Sequence, residues 1–509
     1  MNGSTDVAFS VAAVIAVTLA TLVIGTWGLK FSRTTSDFFV ASRSVRPGLN
    51  ASAISGEYLS AASFLGIAGL VLSFGAEMLW YPIGWTAGYL VLLVLVAAPL
   101  RRSGAYTLPD FAEARLDSRT VRTLASVMVV AIGWLYVMPQ LQGAGVALRA
   151  ATGLPLWAGG LVVAVVVLLN VLSGGMRSIT FVQAFQYWLK LTALLAPLVF
   201  LVLVWLGDGG TSPADPGLFV GGESGAAWAD PVDFAGDHPL YSTYSLMVAT
   251  FLGTMGLPHV VVRYYTNPDG AAARQTTVAV LALLGVFYVL PPVYAGLGRL
   301  YAPDLVGSGQ ADSVVLELPS RMIGGLGGDV LTALLTAGAF AAFLATSSGL
   351  TIAVAGVISQ DVMSKRLEGV TAFRVSAVVA VVVPFLLAIV TRDVAVATVV
   401  GLAFAMAAAT FCPLLVLGIW WRGLTDMGAL AGLLVGGALT GGAVLDNLLV
   451  DRTGGWFAAL VNQPAAWAVP LSFATMVVVS RLTAHRLPAH TARFMVRLHT
   501  PETVQLDRG

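Results

Sequence analysis

One carboxylate stands inside a stretch that otherwise reads as apolar. It is Glu57, in Ala51-Ser-Ala-Ile-Ser-Gly-Glu-Tyr-Leu-Ser-Ala-Ala-Ser-Phe-Leu-Gly66. Ser52, Ser55, Gly56, Tyr58, Ser60 and Ser63 share the segment. Hydroxyls that compete for backbone hydrogen bonds, and a glycine that adds chain entropy, weaken a helix there. A second weak point is Phe251-Leu-Gly-Thr-Met-Gly-Leu-Pro-His259, where Gly253, Gly256 and Pro258 fall within six residues. Where an apolar helix breaks, its freed backbone becomes a ligand set. Amides at the start of a half-helix suit an anion, and bare carbonyls suit a cation. The sequence therefore predicts an anion contact over Tyr58, Leu59, Ser60 and Ser63, faced by Gly253, Thr254 and Gly256. Helix order adds Tyr81, Trp85, Gln140 and Gln142 as side chains that close the pocket. Glu57 has two readings, an acceptor for loose amides of the break or a proton carrier. Lys190, also within an apolar stretch, either snorkels to the surface or pairs with a carboxylate. His259 is expected near the inner mouth of its span.

Those residues need a frame, and composition supplies its class. The chain has 509 residues, 57% hydrophobic and 10% charged, with a mean hydropathy of +0.86. Soluble domains carry about 25% charged residues, so a soluble multidomain enzyme is excluded. A formal charge of +1 leaves no basic excess for nucleic acid. One cysteine, Cys412, allows no internal disulfide, and five histidines supply neither a metal cluster nor a haem pair. The expectation is an all-α integral membrane protein, not an enzyme, whose surroundings are the lipid bilayer. Thirteen stretches are apolar enough to span it: 7–29, 48–75, 78–100, 121–148, 156–173, 178–207, 242–262, 274–300, 330–361, 372–391, 395–420, 427–446 and 464–482. Asp6 stands where a secretory signal would carry a basic residue, so the first stretch reads as a membrane helix.

With the N-terminus outside and the C-terminus cytoplasmic, 21 of the 27 Lys and Arg fall on cytoplasmic segments and 5 outside, with Lys190 inside a span. The loop from Asp208 to Tyr241 carries six acidic residues and no Lys or Arg, which fits an outside position. Thr107 and Pro109 predict the start of a short cytoplasmic surface helix. The two weak spans, second and seventh, lie five apart. Five is odd, so two five-helix repeats would run in opposite directions, each opened by a broken helix. The domain reading is a leading helix in 1–30, a first repeat over 48–207, a second over 242–420, two trailing helices over 427–482 and a tail over 483–509. That tail has no room for a nucleotide-binding domain, and no GxxxxGK[ST] string occurs. A channel would not need paired breaks, and a transport-like sensor would need an output domain.

At these residues the chain resembles the solute:sodium symporters, and within them the acetate permease (cation–acetate symporter) and actinobacterial monocarboxylate branch. The strings are Asp37-Phe-Phe-Val-Ala-Ser-Arg43, Ile54-Ser-Gly-Glu-Tyr-Leu-Ser-Ala-Ala-Ser-Phe-Leu-Gly66, Tyr106-Thr-Leu-Pro-Asp-Phe111, Gly174-Gly-Met-Arg177, Gly256-Leu-Pro-His259 with Arg263, Ser359-Gln-Asp361 and Val400-Gly-Leu-Ala-Phe404. The resemblance implies a LeuT-like five-plus-five inverted-repeat core with flanking helices in a bacterial inner (plasma) membrane. It implies uptake of short monocarboxylates (acetate, propionate, pyruvate) with a cation. It also implies a sodium site, with carbonyls of Ala51, Ile54 and Ala342 and the positions Ala345 and Thr346. Ala345 offers no hydroxyl; a one-residue shift to Thr346 and Ser347 restores both, with Ser348 beside them. Sodium is the expected coupling ion, with the proton, carried by Glu57, as the alternative. No cofactor is implied, and the oligomeric state is left open.

Overall fold

The computed structural model describes residues 3–28, 44–232, 237–363, 367, 369–391, 396–450, 454–502 and 504. The Asp37–Arg43 string, and with it Lys30, Arg33, Lys365, Arg366, Arg392, Arg452 and Arg508, lies outside the described residues. The helices that matter below are, in chain order, α1 (Gly3–Gly28), α2 (Pro47–Tyr58), α3 (Ile67–Phe74), α4 (Trp80–Leu95), α5 (Leu108–Leu116) and α6 (Arg119–Thr152). They continue with α7 (Leu156–Leu172) and α8 (Gly175–Gly207), α9 (Pro239–Gly256), α10 (Pro258–Tyr264), α11 (Gly270–Tyr288) and α12 (Leu290–Tyr301). The last are α13 (Gly325–Val357), α14 (Gly369–Val390), α15 (Val396–Trp420), α16 (Asp426–Leu449), α17 (Ala465–Leu482) and α18 (Thr491–His499).

Among the described residues, ten helices are long and apolar enough to cross a membrane, and two bent pairs bring the spans to as many as 12. The stretch expected at 156–173 forms α7, an apolar helix of 17 residues, short of the usual spanning length of about 20. It parts from α8 at Gly175, whose φ of 59° is open to glycine and costly for other residues. The protein is a multi-pass membrane protein built from helices. Its one sheet among the described residues is a two-stranded hairpin, Phe219–Val220 with Glu223–Ser224, within the acidic loop.

The bent pairs are the two weak spans. α2 and the segment Ala62–Phe74 meet at 72°, and α9 and α10 meet at 44°. Around them sits the most buried part of the chain. α2 packs on α8 and α13, and α9 packs on α4 and α15. α13 is buried continuously from Thr336 to Val357. Lipid offers no hydrophobic drive for helices to associate, so their close approach rests on small residues. Gly253 and Gly256 serve this end. A Cβ on either would stand 2.4 Å from the Phe404 carbonyl oxygen or 2.5 Å from that of Ala407, so both glycines face the backbone of α15.

At the Lys/Arg-rich face, α5 begins as its sequence predicts, with the Thr107 hydroxyl accepting the Asp110 N–H at 3.2 Å. Arg122, at the foot of α6, gathers three carboxylates: Asp110 at 2.8 Å, Glu113 at 2.5 Å and Asp361 at 2.6 Å. Asp361 lies in the π-turn Ile358–Met363 that continues α13, so one guanidinium ties α5, α6 and that turn together. Burial pushes the Asp110 carboxyl up, and Arg122 opposes that shift. α18 lies on the same face, with Arg497 donating to the Arg102 carbonyl at 3.1 Å and Glu502 accepting the Gly270 N–H at 2.9 Å.

Arg122→Gln leaves three carboxylates facing one another. The guanidinium then no longer opposes the burial that pushes the Asp110 carboxyl up, so the penalty is full above the carboxylate range and fades as pH falls through it. Because Arg122 is 24% exposed, the expected loss is moderate, about 1–2 kcal/mol near pH 8 and little near pH 4.5. Thermal unfolding of detergent-purified protein across pH checks it; a pH-independent deficit contradicts the account.

Candidate functional site

α2 stops at Tyr58, and Leu59 and Ser60 leave the helical conformation. The chain resumes through a π-turn, Ala62–Gly66, into α3. Every residue from Asn50 to Gly69 is buried. A broken helix there must satisfy its freed backbone from side chains, and those partners define the site.

The carbonyls at the end of α2 are taken first. Lys190 on α8 donates to the Gly56 carbonyl, and at 2.8 Å to that of Leu59. The Thr346 hydroxyl on α13 donates to the Glu57 carbonyl at 2.6 Å. On the far side of the break, the Ala61 N–H donates to Gln140 Oε1 on α6 at 2.8 Å. Gln140 is held in turn by its amide, which donates to the Tyr136 carbonyl at 3.2 Å.

Glu57 does not stand alone. Arg263 on α10 donates from Nε to Glu57 Oε2 at 2.6 Å, with 1% and 3% of the two side chains exposed. The same guanidinium donates to Thr180 Oγ1 at 2.9 Å and to Gln183 Oε1, both on α8. Gln183 reaches on to the Ala345 carbonyl at 2.8 Å. The pair therefore joins the two bent spans to each other and to α8 and α13. Gly349 makes room for it: a Cβ there would lie 1.9 Å from Glu57 Oε1.

Aromatic rings wall the break. Tyr58 bonds Thr254 Oγ1 on α9 at 3.0 Å and donates to the Trp85 carbonyl at 3.3 Å. Phe404 on α15 is the ring the others meet, at centroid distances of 6.3 Å from Tyr58, 5.7 Å from Trp85 and 5.9 Å from Tyr136. His259 lies edge-on to Tyr136 at 5.2 Å, and Ser63 bonds the Tyr288 hydroxyl at 2.9 Å. Within this wall several buried polar atoms have no protein partner: Ser60 Oγ, Trp85 Nε1, Tyr89 OH and both ring nitrogens of His259. Ser347 Oγ on α13 is in the same state. Such groups cost about 1–3 kcal/mol each when left unpaired, and their clustering around the break makes it the candidate site.

The structure thus brings together Glu57, Tyr58, Leu59, Ser60, Ser63, Trp85, Gln140 and Thr254. Tyr81 stands one ring further along α4, edge-on to Trp85 at 5.5 Å. Gln142 lies away from the break: its amide donates to Thr391 O at 2.9 Å, and it lines a cavity of about 890 Å³ with Gly69, Arg149, Asp312 and Phe385. Burial in that loop pushes the Asp312 carboxyl up to about 6. Ala51 and Ile54 lie inside α2, one to two turns before the open carbonyls, while Ala342, Ala345, Thr346 and Ser347 follow one another along buried α13. Among the described residues, no group of three or more His, Cys, Asp or Glu is placed to hold a metal ion.

Residues 38–436 match the model of the sodium:solute symporter family. The chain belongs to this family. It is 34% identical over 437 residues to the uncharacterized symporter YwcA of Bacillus subtilis (strain 168), covering 83% of each chain. Its fold is similar to that of a Na+-coupled sialic acid symporter in a substrate-bound outward-open state, with a TM-score of 0.71, 16% identity and coverage of 93% of this chain and 97% of the other. It is also similar to the nucleobase–cation symporter MHP1 (TM-score 0.57, 14% identity, 91% and 99% covered) and to MhsT in complex with L-phenylalanine (0.54, 15%, 87% and 99%). These are LeuT-like folds, and in this sodium:solute symporter the break and its wall lie where the bent spans meet.

Sequence reasoning missed four parts of the site. Arg263 was counted among cytoplasmic charges, yet it is buried against Glu57. His259, expected near the inner mouth, is fully buried beside Tyr136. Tyr136 gave no signal, because an aromatic in an apolar helix reads as core, and Phe404 stood at the end of a family string with no role attached to it. A lone intramembrane carboxylate needs a cation partner, and that rule would have found Arg263.

Removing one member of the buried pair leaves the other charge uncompensated, at a cost of about 3–5 kcal/mol. Glu57→Gln and Arg263→Gln are each expected to lose that much thermal stability in detergent, and the double variant to lose less than the sum. Additive losses contradict the coupling.

Proposed function

We propose that this symporter imports a short-chain monocarboxylate together with sodium by alternating access. The observation that carries the reading is the break after Tyr58, a buried half-helix start with unpaired donors inside an aromatic wall. Amides at such a start favour an anion, and rings at close quarters suit a solute of few carbons. Ser60 and the Ala61–Ser63 turn receive the carboxylate, with Thr254 behind Tyr58 and Trp85 covering the methyl end. The acetate-branch strings of the sequence support the same substrate class. Gln142 and Tyr81 belong to the approach, with the cavity of about 890 Å³ as the outer vestibule. The five-plus-five repeats, an outside N-terminus and a bacterial inner membrane complete the proposal.

For the ion, sodium takes hard oxygens on α13 facing α2. Thr346 and Ser347 provide two hydroxyls, and Ser347 Oγ has no protein partner, which favours the register that uses both. The family name and the sodium-coupled sialic acid symporter support sodium. Glu57 as a proton carrier would have to leave an ion pair of 2.6 Å, which weighs against the proton.

Purified protein in liposomes is expected to accumulate labelled acetate against its gradient when a sodium gradient is imposed. Thr346→Ala and Ser347→Ala should each lower sodium-driven uptake at least about tenfold, equal to about 1.4 kcal/mol, while Thr346→Ser keeps most of it. Uptake indifferent to sodium and abolished by a protonophore would assign the proton instead. Equilibration without accumulation under any gradient would make the protein a channel or uniporter.

A further inference from the structure

The site contains one charge that the proposed transport does not yet use. Lys190 is fully buried on α8. It reaches the break because α2 and α8 touch at Gly56, where a Cβ would lie 2.1 Å from the Gln183 carbonyl oxygen. Its ammonium donates to the carbonyls of Gly56 and Leu59. The nearby buried charges are Glu57 and Arg263, and they neutralise each other at 2.6 Å. Held as an ammonium on those two carbonyls, Lys190 adds a positive charge beside that pair in surroundings of low dielectric, where an ion without a counter-ion of its own is costly.

From this arrangement we infer that Lys190 is the counter-charge for the substrate, the residue that makes the break select a monoanion over a neutral solute of the same shape. The inference rests on the reading that the break binds a monocarboxylate. The link is the peptide group between Leu59 and Ser60. Its oxygen holds the ammonium, and a trans peptide presents its N–H on the opposite side, toward the break. A cation on the carbonyl polarises that unit and strengthens its N–H as a donor. Ser60 Oγ, 1% exposed and without a partner, stands on the same residue. A carboxylate taken by Ser60 lies one peptide away from the ammonium without touching it, so Lys190 is a positioning and specificity residue. One feature makes it more than a structural tie: the carbonyls it holds flank Tyr58, which bonds Thr254 across the site.

The test compares acetate with acetamide, its neutral isostere, in competition against labelled acetate exchange by the purified full-length protein in liposomes. Wild type is expected to bind acetamide at least about thirtyfold more weakly than acetate, the loss typical of an unmatched buried charge. In Lys190→Gln the acetate affinity should fall by a similar factor while acetamide changes little, so that the two converge to within about threefold. Lys190→Arg should restore the preference for acetate. Wild type that accepts acetamide as tightly as acetate overturns the inference without any variant having to fold. So does a Lys190→Gln protein that keeps its acetate preference, or one that loses both ligands equally. Wild type that binds no monocarboxylate at all overturns the functional proposal first, and the inference with it.

Discussion

Two membrane spans are bent, and the ion pair between Glu57 and Arg263 ties one to the other. A bent helix exposes amides and carbonyls that hydrocarbon cannot solvate. Each buried charge would be prohibitive alone. Together they satisfy one another and anchor the ends of α2 and α10 to Thr180 and Gln183 on α8. Gln183 then holds the Ala345 carbonyl, and Thr346 holds that of Glu57. The break after Tyr58 and the hydroxyl-bearing turn of α13 are therefore parts of one polar network, two or three hydrogen bonds apart.

Around that network the packing is close because its residues are small. Gly56, Gly253, Gly256 and Gly349 each occupy a place where a single methyl would strike backbone or a charged side chain. Large rings fill what the glycines leave, with Phe404 touching Tyr58, Trp85 and Tyr136 at once. The result is a small polar centre in a closely packed shell, with the Arg122 cluster at one face and the cavity at the other.

Much of this was legible in the chain. Hydropathy located twelve of the thirteen expected stretches among the described residues, all but 156–173, because a run of about 20 apolar residues is long enough to cross the bilayer. Glycine, proline and serine marked both breaks, because those residues weaken a helix wherever it lies. The strings around Glu57 and His259 pointed to the family. Tyr58, Ser60, Ser63, Trp85, Gln140 and Thr254 were named in advance and meet at the break. These are local properties, and one-dimensional patterns carry them.

The tertiary structure decided what lies across from what. Arg263 is 206 residues from Glu57 and Lys190 is 131 from Leu59, and nothing in the spacing of either sets those distances. Gly253 and Gly256 read as site residues by composition, yet their bare faces turn to α15, since a helix break and a helix crossing both favour glycine. Gln142 and Gln140 differ by two positions, which on a helix is more than half a turn, so one holds the break and the other lines the cavity. The sequence alone determined that the chain crosses a membrane with two weakened spans. Which charged side chains meet depends on the packing of helices far apart in the chain.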